Sequence, residues 1–313
     1  MADLFVPYKA CRIGFALQDA QGEAAATPTV VYPLPEAGSG INPLNNYTFF
    51  SWADNNYGVS RYMSEGKWNE GTIVVPVIPG YTLADDSDQV LYTWCFERAA
   101  AEYYYDTYWA TIWRDLGHVV ELYADCKCVS GSIRNAAGNF MALEMSITGI
   151  TVPSEPASFP DVDVVTTDPY VFNQAAVSMK LGGGEYATDS YSRDITMNFD
   201  NRNASPSDML TKRASAYPVG LPSFEKTRWS GTIDRAFINP DIYADFKSGQ
   251  EGALKEVWTA DTAAVTIEFP RVVWTEDPIG IPTEDFVKED SLAWQGLASA
   301  DGATDAFSID ETV

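Results

Sequence analysis

The stretch Trp68-Asn69-Glu70-Gly71-Thr72-Ile73 returns 161 positions later, one residue shorter, as Trp229-Ser230-Gly231-Thr232-Ile233. Each copy runs into apolar sequence that ends at a proline, Pro76 and Pro240. Further on, each half closes on a Thr-, Val- or Trp-rich segment and a second proline: Gly149-Ile150-Thr151-Val152-Pro153, and Trp274-Thr275-Glu276-Asp277-Pro278. Co-linear self-similarity constrains architecture more than a local motif does, because each copy of a repeat must form the same supersecondary unit. The chain reads as one unit written twice, with Trp68 and Trp229 expected at equivalent places.

Around these copies the pattern is that of strands. Lys67 to Pro79 is dominated by β-branched residues, as in a strand packed on both faces. Tyr103 to Arg114, Val119 to Ser130 and Phe140 to Ile150 follow a period of two, with turns at Asp115 to His118 and Asn135 to Asn139. Together they predict an antiparallel meander. In the second half Val171 to Leu181, Asp194 to Asp200, the Trp229 segment, Thr262 to Trp274, Ser291 to Leu297 and Ala306 to Ile309 read as strands.

Two helices interrupt this pattern. Asp85-Asp86-Ser87-Asp88 resembles a helix entry, and Gln89 to Ala101 carries apolar residues at helical spacing, about three turns. Asp245 to Lys255 is the second candidate. Gly22 to Asn46, with four prolines, reads as an extended excursion, and Pro153 to Pro169 as the domain boundary. The expected fold is therefore mainly β: two related antiparallel β-sandwich domains, residues 1–160 and 161–313, each flanked by a short helix. An acidic C-terminal arm from Asp285 would reach a neighbouring subunit, since 276–313 holds ten acids and one lysine.

With 313 residues, 46% apolar and 20% charged, the chain is long enough for proper cores. Met1 to Ala20 has no signal-peptide pattern and no window approaches 18 consecutive apolar residues, which predicts a cytosol-like compartment without membrane insertion. The net charge is −24, spread as −10 before Pro160 and −14 after it. That sign excludes an ordinary nucleic-acid binder, because the Lys and Arg contacts to phosphate that supply such affinity are too few.

The search for reactive constellations ends empty. His118 is the lone histidine and falls in a turn, so a catalytic role is not expected of it. Cys11, Cys95, Cys126 and Cys128 lack zinc spacing and read as free thiols. Gly182-Gly183-Gly184 lacks the Lys-Ser/Thr of a phosphate loop, and Asp54-Asn55-Asn56-Tyr57-Gly58 lacks calcium-loop spacing. Acid pairs such as Asp85 and Asp86 could serve a glycosidase only at a set separation in a cleft. Trp94, Tyr103, Tyr104, Tyr105, Trp109 and Trp113 suit either a sheet core or sugar stacking, and the period of two favours the core. No catalytic, cofactor or metal residue is assigned and no cofactor is expected; a carbohydrate-binding or glycoside-hydrolysing β-protein is the alternative.

Several of these segments together resemble the tail tube proteins (major tail proteins) of long, non-contractile-tailed bacteriophages. They are Gly22 to Thr29, Gly66-Lys67-Trp68-Asn69-Glu70-Gly71, the Cys128 to Ile150 hairpin with Ala137-Gly138 at its turn, Asp194 to Asp200, Ser230-Gly231-Thr232-Ile233 and Glu268-Phe269-Pro270. The resemblance implies a structural, non-enzymatic virion protein whose rings stack into a hollow tube for the genome, with another phage structural protein as a second alternative. It also implies partners: further copies of itself, a tape measure protein in the lumen, tail terminator and tail tip proteins, and DNA that passes without specific binding. Assembly would occur in the host cytoplasm. The family's typical subunit has one domain and forms hexamers, so a chain of about twice that length would close the same ring as a trimer.

Overall fold

The structure, a computed structural model, describes residues 11–33, 39–50, 61–83, 89–97, 107–136, 139–171, 175–180, 187–189, 192–209, 217–218, 220–223, 225, 227–236, 247–260, 262–276, 279–280, 289–298 and 306–312. Among them lie the α-helix α1 (Val90–Phe96), two further helical residues at Lys247 and Ser248, a 3-10 turn at Pro206–Asp208, and sixteen strands joined into one antiparallel network. The first half holds β1 (Arg12–Leu17), β2 (Val30–Pro33), β3 (Gly40–Phe50), β4 (Arg61–Pro76), β5 (Ala110–Asp115), β6 (Val120–Ala136) and β7 (Ala142–Gly149). The second holds β8 (Ala175–Lys180), β9 (Ala187–Asp189), β10 (Ser192–Asp200), β11 (Arg228–Ala236), β12 (Glu251–Ala260), β13 (Ala263–Glu276), β14 (Ile279–Gly280), β15 (Glu289–Gly296) and β16 (Ser308–Thr312).

The two halves share one strand order. The first runs β3-β4-β7-β6-β5-β1-β2 across the sheet, the second β10-β11-β15-β13-β12-β8-β9, and the lists match strand for strand in chain order. Register matches as well. Gly71 stands between Ile41 and Ile147, and Gly231 between Met197 and Trp294. Cys126 stands between Ala110 and Gly149, and Val272 between Gly252 and Gly296. Even the irregularities coincide, between Cys128 and Ser130 on β6 and between Trp274 and Glu276 on β13, each two residues past the matched position. A bulge inserts an unpaired residue and bends its strand, so a bulge shared at the matched place is a strong topological marker.

The repeated tryptophans are not equivalent. Side chains alternate along a strand, and Trp229 lies two residues before Gly231 while Trp68 lies three before Gly71. Trp229 therefore shares the buried face of Gly231 and Ile233, whereas Asn69 takes that place in the first half and Trp68 turns to the other face, half-buried, with its Nε1 donating to Glu70. The shorter copy differs by a single residue, which is what flips the ring.

One core runs through both halves. Phe96 of α1 reaches from the first half into an aromatic group of the second, 5.1 Å from Phe199, 5.5 Å from Trp229 and 5.7 Å from Phe307 between ring centres. Trp229 extends the group to Phe269 at 5.4 Å, and Phe269 to Trp294 at 4.6 Å. Glycines opposite the rings make the room: a Cβ on Gly131 would lie 2.6 Å from Phe199, and one on Gly231 2.6 Å from Trp294.

Several sequence expectations need correction. The stretch from Gly22 to Asn46 contains β2 and the start of β3, and β1 precedes it, so regular structure begins well before Lys67. Proline is tolerated there because Pro33 and Pro43 lie on strands that, among the described residues, have one partner strand each. Helix α1 spans seven residues, not three turns, and stops at Glu97, whose backbone is extended; Asp85 to Asp88 and residues 98–101 lie outside the described residues. Of the second expected helix, Lys247 and Ser248 are helical, whereas residues 251–255 belong to β12, where Leu254, Glu256 and Trp258 point inward at period two. The Pro-rich boundary is no free linker, since Phe159 packs with Ala16, Val31 and Trp113 and the Val165 N–H donates to Val31.

The described residues of the C-terminal stretch, 289–298 and 306–312, pack within their own chain and not as an arm. β15 lies between β11 and β13, and β16 pairs with β13, so Leu292, Trp294 and Ile309 are buried in their own chain. Losing such a side chain costs about 2–5 kcal/mol, against a total stability of about 5–15 kcal/mol. Truncation before Asp285 is thus expected to abolish the cooperative thermal unfolding transition seen by circular dichroism, and a sharp transition in the truncated chain would contradict this packing.

Candidate assembly surface

The residues weighed for chemistry scatter. His118 is exposed in the β5–β6 turn, which Gly117 makes with φ 80° and Asp115 closes by accepting the Gly117 N–H at 2.8 Å. Cys95, Cys126 and Cys128 are buried free thiols and Cys11 is half-buried. Burial pushes the Cys95 and Cys126 thiols well above their ordinary range, which disfavours the thiolate that would act as nucleophile. Trp94 and Trp113 are buried core residues, and Trp109 lies under the Lys127 ammonium, 4.3 Å from the ring centre. Tyr103 to Tyr105, Asp54 to Gly58, Asp85, Asp86 and Gly182 to Gly184 lie outside the described residues. Among the described residues no group of three or more His, Cys, Asp or Glu could hold a metal ion.

What the fold does build with care is the joint between its halves. β10 pairs with β6 from Asp194 opposite Ala136 to Asp200 opposite Ser130, on the edge of β6 that β5 leaves at Cys126. Where the joint ends, Asn201 donates from its amide to the carbonyls of Cys95 and Cys128, both at 2.9 Å, and accepts from Thr227 at 2.9 Å. One side chain thereby ties α1, β6 and the entry to β11 together. Polar groups this deep are stable only when paired, which is why the amide faces two carbonyls.

Two carboxyls complete the joint. Glu256 of β12 is fully buried and accepts a short hydrogen bond from the Asn135 amide of β6. Burial outweighs that bond and pushes its pKa up to about 7. Glu311 of β16 accepts from the Gly80 N–H at 3.1 Å and from the Tyr170 hydroxyl at 3.0 Å, holding the last strand to the first half; burial raises its pKa too. Sequence reasoning missed all four of Asn135, Asn201, Glu256 and Glu311. Only Glu256 left a local signal, a lone acid at an inward position between Leu254 and Trp258.

The joint also sets off the edges that lack one. β10 is paired on both sides, whereas its counterpart β3 pairs, among the described residues, with β4 alone. Along β3, Asn42, Pro43 and Leu44 are exposed, Leu44 by 39%. Glu276 and β14 pair with β15 on one side and, among the described residues, with nothing on the side that corresponds to the β6 joint. Such edges are templates for another chain.

The family of phage tail tube proteins has a sequence model that matches residues 10–301 of this chain, and the chain belongs to that family. No curated protein matches it. The family is a structural one, and membership makes the protein a component of the virion tail. No helix among the described residues is long and apolar enough to cross a membrane.

The buried carboxyl at the joint has a measurable signature. An acid whose pKa is about 7 when folded and near its ordinary 4.5 when unfolded is neutral in both states below pH 4.5 and weighs on the fold progressively from there to pH 7. At about 1.4 kcal/mol per unit, the loss is on the order of 3 kcal/mol. Glu256→Gln is expected to unfold at a higher temperature than the natural chain at pH 8 and to show a flatter decline between pH 5 and 7; parallel curves for the two proteins would contradict the assignment.

Proposed function

We propose that three copies of this chain close into a ring and that the rings stack into the hollow tail tube that conducts the phage genome. Family membership supplies the tube. The single observation that supports three is the seven-strand order that occurs twice in one chain, with the same registers and the same bulge. A ring of six one-unit subunits needs six units, and three two-unit chains supply as many, with true threefold and approximate sixfold symmetry. Residues 1–160 and 161–313 are the two units in this reading. Their covalent and β6–β10 connection makes every second unit contact intramolecular, which lowers the association entropy cost.

The charge fits the task. With 44 acids against 20 basic residues, a wall made of this chain offers DNA few Lys or Arg contacts, so the genome meets repulsion rather than binding sites. Self-repulsion also opposes association of free chains until a nucleus exists. Tape measure protein in the lumen, a terminator at one end and tip proteins at the other are the partners this role calls for, and assembly in the host cytoplasm follows from it. No observation favours the carbohydrate reading, because the aromatics considered for stacking at Trp94 and Trp113 are in the core.

Native mass spectrometry of rings released from tubes tests the stoichiometry. The expected ring mass is three times the chain mass of 34.4 kDa. A mass of six chains would overturn the trimer while leaving the tube standing, and a protein that never forms rings or tubes would overturn both.

A further inference from the structure

The internal joint specifies how one chain should grip the next. Following the matched registers, β13 and β14 together are the counterpart of β6. Ile279 faces Asp290 and Gly280 faces Glu289 on β15, as Ile133 faces Leu143 and Arg134 faces Ala142 on β7. Likewise β3 is the counterpart of β10: Ile41 faces Gly71 as Met197 faces Gly231, and Leu44 faces Trp68 as Asp200 faces Arg228. Within the chain, the counterparts β6 and β10 are paired. Their equivalents at the two free ends, β13–β14 and β3, are the ones left without that partner among the described residues.

We propose that β3 of one copy pairs antiparallel with Glu276 and β14 of the next copy, repeating between chains the β6–β10 joint made within them. The inference rests on the ring proposed above and names its contact. The occupant of each edge is a second copy of this chain, because the complementary edge is present on the same molecule and its register is already drawn. Transferring that register sets Leu44 against Glu276, Ile41 against Ile279 and Gly40 against Gly280, in place of Asp200 against Ser130, Met197 against Ile133 and Thr196 against Arg134. The middle pair is apolar in both versions. Such a contact is head-to-tail, each copy using one edge to give and another to receive, which is the kind that generates rings or filaments.

One difference between the joints has a use. Where β10 has Phe199, β3 has Pro43, which brings no N–H to the ladder. An edge proline discourages indiscriminate strand pairing, so β3 waits for a partner that also fits at Ile41 and Leu44.

Directly opposed residues on antiparallel strands bring their Cβ atoms to about 4.5–5.5 Å, near enough for a disulfide with little adjustment. Leu44 and Glu276 are both exposed in the single chain. Tubes assembled from Leu44→Cys/Glu276→Cys and mildly oxidised are expected to run on non-reducing gels mostly as covalent dimers and trimers. Leu44→Cys alone, and Leu44→Cys with Gln295→Cys on the interior strand β15, should stay monomeric in the gel. Tubes that form normally from the paired variant yet give no more crosslink than these controls would overturn the joint and leave the ring reading intact. If the paired variant does not assemble, hydrogen exchange on the natural protein decides: amides in 40–44 and 279–280 should slow at least tenfold in tubes relative to the unassembled chain, and unchanged exchange there would overturn the proposal. Natural protein that forms no tube at all would instead count against the function proposed above.

Discussion

Strand β6 carries more obligations than any other element, and the rest of the molecule is arranged to let it meet them. Its 17 residues pair with β5 and then β10 along one edge while β7 occupies the other. A straight, regular strand could not hand one edge from β5 to β10 so abruptly. The change comes at Asp125, whose backbone is left-handed at φ 49°, and at the bulge between Cys128 and Ser130. Asp125 is held there by its surroundings. Its carboxylate accepts from the Gln18 amide at 3.1 Å, the Gly22 N–H at 2.7 Å and the Thr151 hydroxyl, while Gln18 accepts the Asp125 N–H at 2.8 Å. Strain at one residue is sustained because several elements over-determine it.

Past that bend, the joint relies on contrast of size. Gly131 faces Phe199 across β6 and β10, and Gly231 faces Trp294 across β11 and β15, so large rings lie over strands that present no side chain. The aromatic group around Trp229 fills the space this creates and draws in Phe96 from the helix of the other half. The hydrophobic driving force and the backbone ladder thus act at the same place. That makes the two halves one core, although each repeats the other strand for strand.

The sequence was legible where alternation was strong and opaque where edges and long-range partners decide. Gly-Thr-Ile located β4 and β11 correctly, because a glycine between two packed strands and an inward isoleucine recur in both. The tryptophans beside them misled, since a one-residue offset changes the face and not the composition. β2 and β3 were hidden by prolines that an edge strand accepts. β12 was mistaken for helix because Ala253, Leu254, Lys255 and Glu256 are good helix formers, and propensity yields to cross-strand packing with β8 and β13. The apolar residues after Asp285 were legible as needing cover. That the cover comes from β11 and β13 of the same chain depends on contacts 46 to 59 positions away, Val265 with Glu311 on β16 and Ile233 with Leu292 on β15, which no local window contains. The joint residues Asn135, Asn201 and Glu311 are ordinary polar residues until the partners arrive.

The central claim is that one structural unit, used twice per chain, is the unit of the assembled tube. Electron cryo-microscopy of tubes, reconstructed without imposed symmetry, tests it most directly. The account predicts six copies of the seven-strand order around each ring, joined alternately within a chain through β6 and β10 and between chains through β14 and β3. A ring in which neighbouring units meet through other strands, or in which the two halves occupy different radial positions, would contradict it.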